Sequence, residues 1–152
     1  MVVSRKNSGQ IRLMIGSNSG GSGKTTASVH IAYELGKRGY KVTIIELDFS
    51  GSISSFTGLP LNPPEELSVA AILKKGFKGM YPTQPIWTSY INTVNVIQGG
   101  ESVRDCIREV PMNARGHYIL HDRLMDHPLD SDVIIFDTPA SLEPMGVMAL
   151  AA

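Results

Sequence analysis

Cysteine is almost missing: Cys106 is the only one in 152 residues. No internal disulfide can form and no Cys-x-x-Cys metal or redox motif exists, which fits a reducing compartment such as the cytoplasm. Neither sign of charge is in excess. Fourteen basic and fourteen acidic side chains give a formal net charge of zero, so composition supplies no bulk pull toward nucleic acid or an anionic membrane. Long apolar runs are absent too. The opening MVVSRKNSGQ has no apolar h-region, and stretches such as VMALAA fall far short of the roughly 18 residues that read as a membrane span. A soluble chain is expected, with no membrane partner. What is present, 42% apolar and 18% charged residues, suits one globular domain over residues 1–152.

After a polar lead-in, IRLMI (11–15) is a short apolar run closed by Gly16, as in a strand buried on both faces of a parallel sheet. From Lys24 to Arg38 the pattern is helical. Ala27, Ile31 and Leu35 recur at spacings of four, and Gly39 stands where a left-handed cap belongs. KVTIIEL (41–47) reads as a second buried strand, completing a right-handed βαβ unit with parallel strands. The Ser-, Gly- and Pro-rich stretch from Asp48 to Glu66 is too long for a simple connection, and such loops are usually functional. Helical spacing returns at 66–75, INTVNVI (91–97) reads as a strand, two weaker helices are expected near 102–109 and 115–126, and DVIIFD (132–137) is the third strong strand. The predicted class is α/β, a mostly parallel sheet flanked by helices.

Between the first strand and the first helix lies SNSGGSGKTT (17–26). Glycines let consecutive backbone N–H groups turn inward around phosphate oxygens, a lysine ammonium reaches the β- and γ-phosphates, and the next hydroxyl holds Mg²⁺. Gly20, Gly21, Gly23, Lys24 and Thr25 match those roles, with Ser19, Ser22 and Thr26 completing the loop. A helix N-terminus at the same place favours an anion. The strict pattern GxxxxGK[ST] fails only because Asn18 stands where its first glycine would be.

In the form xGGxGKTT, the loop resembles that of the ParA/MinD family of deviant Walker-type ATPases, normally written KGGVGKTT. Two further segments carry the resemblance. IIELDFSG is similar to the family's IDxDxxG, placing Asp48 on the aspartate that helps order Mg²⁺ and the attacking water, with Glu46 where a second aspartate is usual. DVIIFDTPAS is similar to the Walker B strand and its DxPP ending, so Asp137 would hold Mg²⁺ through a water and TPASLEP would open switch II, with Ala140 replacing the second proline. The resemblance implies a P-loop NTPase fold, ATP and Mg²⁺ as cofactors, Lys24 and Asp48 as catalytic residues, and Thr25, Asp48 and Asp137 around the metal. It also implies an ATP-sandwich homodimer, nonspecific binding to nucleoid DNA, and an adaptor protein that stimulates hydrolysis.

The family's signature lysine, which reaches across the dimer to the partner's phosphates, is Ser19 here. A serine brings no charge to a phosphate, so cis binding through Lys24 is expected intact and the trans contact altered. Serine at this position is similar to the McdA subgroup, which spaces carboxysomes over the nucleoid with the adaptor McdB. A plasmid or chromosome partitioning ATPase with a ParB-type adaptor is the alternative, and a nucleotide-binding switch with little hydrolysis is another. The family usually runs well beyond 200 residues, so the C-terminal part of its fold is expected to lie beyond Ala152.

Four other features read as structure rather than chemistry. His117 and His121 share i, i+4 spacing but have no completing ligand set, and are taken as surface histidines. Cys106 lacks a nucleophile's surroundings. MYPTQPIWTSY (80–90) is expected to pack loops against the core, and the basic residues of RKNSGQIR to be solvated.

Overall fold

Alternation along the central strands decides the layers. Leu13, Ile44 and Ile135 face one apolar core, whereas their chain neighbours Met14, Ile45 and Ile134 face a second one. A strand buried on both faces must be covered by helices on both. The computed structural model describes residues 2–5, 9–109, 115–140 and 144–152. In chain order these form β1 (Val2–Arg5), β2 (Ile11–Ile15), α1 (Lys24–Lys37), β3 (Val42–Glu46), α2 (Ser54–Thr57), α3 (Val69–Leu73), β4 (Gln84–Pro85), β5 (Val94–Ile97), α4 (Glu101–Glu109), α5 (Ile119–Asp126), β6 (Val133–Asp137) and α6 (Met145–Ala151). Among the described residues the sheet order is β1-β2-β6-β3-β5-β4, with β2, β6, β3 and β5 parallel and the two edges antiparallel. This is the expected α/β class.

The strands of the predicted βαβ unit are parallel but not adjacent. β6 lies between β2 and β3, in register with both, so that Asp137 pairs with Ile15 on one side and Glu46 on the other. Position 137 is thereby carried to the carboxyl edge of the sheet, beside the loop that leads into α1.

Several expectations need correction. Residues 2–5 are not a polar lead-in but an antiparallel edge strand, Val2 opposite Met14. The helix expected over 66–75 divides into a 3₁₀ turn, Glu65–Leu67, and α3, because Ser68 takes an extended conformation and caps α3 by accepting from the Ala70 N–H at 3.2 Å. The helix expected over 115–126 likewise begins as a 3₁₀ turn at Gly116–Tyr118. The 80–90 segment is mixed: Ile86 is buried, while Met80 and Tyr90 are more than 80% exposed.

The buried face of α1 is also rotated from the one predicted. Ser28, Val29, Ala32 and Gly36 are buried, Ile31 and Leu35 only partly so, and Ala27 is exposed. Small residues at spacings of four let the helix lie close on the sheet. A Cβ at Gly36 would stand 2.4 Å from Val94 Cγ2. Gly36→Val is therefore expected to destabilise the protein by about 1–3 kcal/mol, read from denaturant unfolding, despite removing a helix-weakening glycine.

Candidate functional site

The site is built where β2, β3 and β6 end. The loop after β2 turns through Gly21 (φ 68°) and Gly23 (φ 80°), left-handed conformations that residues with a Cβ rarely adopt. Gly23 is the N-cap of α1, and the first helical bond runs from the Ala27 N–H to the Gly23 carbonyl at 2.8 Å. The N–H groups of the first turn ahead of it have no carbonyl within the helix to bond, which leaves them for an anion. Lys24 Nζ donates to the Ser19 carbonyl at 3.4 Å, so the ammonium curls over its own loop. Ser19 itself is exposed.

Two hydroxyls of α1 converge on one carboxylate. Thr25 Oγ1 donates to Asp137 Oδ2 at 2.7 Å, and Ser28 Oγ donates to Oδ1 at 2.9 Å. Burial pushes the Asp137 carboxyl up from its ordinary value, against the two hydroxyls and the nearby Lys24 charge that favour the anion. Ser28 was not among the residues singled out in the sequence. Its place one helical turn after Lys24 is the signal that could have found it.

Asp48 follows β3 and is half-buried, its Oδ1 accepting from the Ser50 N–H at 2.8 Å. Gly20, Gly21, Ser22, Gly23, Lys24, Thr25 and Thr26 line, together with Asp48, Phe56 and Ala140, a cavity of about 610 Å³. The loop residues and Asp48 thus share one space, with Asp137 behind Thr25. Ser141, Leu142 and Glu143, the middle of the predicted switch II opening, lie outside the described residues.

Glu46 does not face that cavity as a second aspartate-like ligand would. It is fully buried, with Oε1 accepting from the Ile53 N–H and Oε2 from the Gly99 N–H, both at 2.9 Å. Burial raises its pKa to about 7 against those two bonds, and the neighbouring Asp137 and Asp48 push the same way.

The donor set fits a hard divalent cation beside a phosphate: the Thr25 hydroxyl and the Asp48 carboxylate on the cavity wall, with the buried Asp137 carboxylate behind Thr25, next to a lysine and a helix N-terminus. Among the described residues, no group of three or more His, Cys, Asp or Glu side chains is placed to hold a metal ion, here or elsewhere. Cys106 is buried, its Sγ 3.8 Å from the Ala70 carbonyl oxygen.

Comparison with known proteins gives a family and a fold. Residues 11–152 match a family described as AAA domain. The chromosome-partitioning ATPase Soj of Thermus thermophilus is 24% identical over 141 residues, covering 93% of this chain and 51% of that protein. Cobyrinic acid a,c-diamide synthase of Mycobacterium smegmatis, solved with a bound ATP analogue and magnesium, superposes with a TM-score of 0.77 at 25% identity, covering 93% of this chain and 56% of that one. Apo McdA of Cyanothece superposes at 0.79 and 21% identity, covering 93% and 54%. The chain spans between 35% and 51% of the length of the curated relatives it matches.

Proposed function

We propose that this chain, which belongs to the AAA-domain family over residues 11–152, is a magnesium-dependent ATPase of the ParA/MinD type. The observation that carries the reading is the convergence of the loop and Asp137: residues 112 apart in sequence meet at 2.7 Å, directly behind Thr25 on the wall of the cavity that the loop residues line. Kinship to Soj, whose name records an ATPase, and to a synthase solved with an ATP analogue and magnesium supports the nucleotide and the metal.

In this reading the backbone N–H groups at the start of α1 and the Lys24 ammonium bind and orient the β- and γ-phosphates. Thr25, Asp48 and Asp137 would hold Mg²⁺, directly or through water. When bound, the ion neutralises charge on the phosphate oxygens. Asp48, which lines the same cavity, would order the attacking water. Ser22 and Thr26 complete the phosphate cradle, and Ser19 leaves the nucleotide without a second lysine from this loop.

Beyond hydrolysis, we propose a cycle between monomer and ATP-bound homodimer on nonspecific nucleoid DNA, driven by an adaptor and used to position a cargo in the cytoplasm. Serine at position 19 favours carboxysomes with an McdB-type adaptor. Relatedness to Soj favours chromosome or plasmid partitioning with a ParB-type adaptor as the second reading. Phosphate release by the full chain is the test, with magnesium or excess chelator, with and without DNA, and with each adaptor type. Turnover should fall to background on chelation and rise with the correct adaptor. Absence of ATP binding in magnesium would end the reading.

A further inference from the structure

The loop that carries Asp48 is held from behind by residues that no phosphate-binding motif contains. Gln98, at the end of β5, is 1% exposed and uses both ends of its amide. Its Nε2 donates to the Pro60 carbonyl at 2.8 Å and to Ser54 Oγ at 3.2 Å, while its Oε1 accepts from Gln84 Nε2 at 3.0 Å. Ser54 closes the triangle by donating to the same Pro60 carbonyl at 3.1 Å. One side chain therefore fixes both ends of the segment 54–60, and β4 fixes that side chain.

Neighbouring bonds act on the same segment. Glu46 takes the Ile53 N–H at the entry to α2, and Trp87 Nε1 donates to the Phe56 carbonyl at 3.0 Å. The strand end also sits directly against the backbone of Asp48, since a Cβ at Gly99 would stand 2.2 Å from the Asp48 carbonyl oxygen. Phe56 and Ser55, on the segment so fixed, are walls of the phosphate cavity. Gln98 itself is absent from that cavity's lining.

We propose that Gln98 is a positioning residue: it sets the loop 48–60 so that Asp48 and α2 face the phosphates, and it ties that loop to the β4–β5 edge of the sheet. The proposal rests on the reading of the site as an ATPase. A buried amide with both N–H donors and its oxygen paired is specific as well as stabilising, because no apolar residue of similar volume can hold the Pro60 carbonyl and the Ser54 hydroxyl at once. Holding a reacting group to within a fraction of an ångström acts on turnover more than on affinity.

The test compares wild type, Gln98→Met and Gln98→Glu in the full chain. Met keeps the volume and loses all three bonds; Glu keeps the shape but cannot donate. Melting temperature is measured first, so that rates refer to folded protein. Affinity for ATP with magnesium should change by less than about threefold, because the Lys24 loop is untouched, whereas kcat should fall about tenfold in both variants. Trp87, the only tryptophan, should shift its emission as the Phe56 carbonyl moves away. Should Gln98→Glu fail to fold, Gln98→Met alone decides. A lowered melting temperature with unchanged kcat and unchanged Trp87 emission would mean that Gln98 only stabilises the fold, and would overturn the proposal. Should the wild type show no turnover, the functional reading falls and hydrogen exchange decides instead. Exchange at the Ile53 and Gly58 amides, bonded to Glu46 and to the Ser54 carbonyl, should quicken about tenfold in Gln98→Met; equal exchange refutes the positioning role.

Discussion

Lys24→Ala is expected to lower ATP turnover by about 100-fold or more and to weaken ATP binding in parallel. Among the described residues, Lys24 is the only lysine or arginine that lines the cavity beside the glycine loop. Its ammonium already lies over the loop, against the Ser19 carbonyl, and binding a nucleotide requires only that it exchange one oxygen for another. Serine at position 19 sharpens the expectation, because no second cation in the loop stands ready to compensate. Lys24→Arg should rescue little: a planar guanidinium does not replace the compact point charge of an ammonium. Folding should be nearly unaffected, since the side chain is partly exposed and makes a single weak bond. Isothermal titration with ATP and magnesium, beside phosphate release, checks both halves. Turnover within a few-fold of wild type would show that the loop is not the reaction's phosphate site.

Asp137→Asn should separate stability from function, with opposite signs. The carboxylate is buried and its ionisation is opposed by that burial, so a neutral isostere that still meets Thr25 and Ser28 should leave the melting temperature of the nucleotide-free protein unchanged or higher. Magnesium-dependent turnover should nevertheless fall about 100-fold, as expected for losing a preorganised charge at a reacting phosphate. Thermal melts without nucleotide and activity across a magnesium series make the comparison. A variant that is both less stable and fully active would remove Asp137 from the metal.

Much of this site was legible in the sequence because its parts announce themselves locally. The glycine loop must turn where no Cβ fits, and Lys24 and Thr25 follow at fixed offsets. DVIIFD is an apolar run bracketed by acids, which reads as a buried strand reaching a polar edge. Ser28, Glu46 and Gln98 were not legible in their roles, since each acts across the sheet on a partner with no sequence relation to it: Asp137, Gly99 and Pro60. The face of α1 was misread for a related reason. Apolar periodicity picked out Ala27, Ile31 and Leu35, but the helix lies on the sheet through the small residues Ser28, Ala32 and Gly36 instead, with Asp137 against Ser28 and Val94 against Gly36. The antiparallel edges β1 and β4 were missed because they are short and, in part, polar.

The insertion of β6 between β2 and β3 orders events in time. Until residues 133–137 have left the ribosome, β2 and β3 have no strand to bridge them, and each keeps an unpaired edge. Thr25 must wait for a partner 112 residues downstream, a loop closure that makes docking of β6 a late and comparatively slow step of folding. A nascent chain halted before β6 would carry the complete glycine loop and α1 yet lack the carboxylate behind Thr25. In the reading proposed above, the carboxylate that would serve the metal joins the glycine loop only once β6 has docked between β2 and β3.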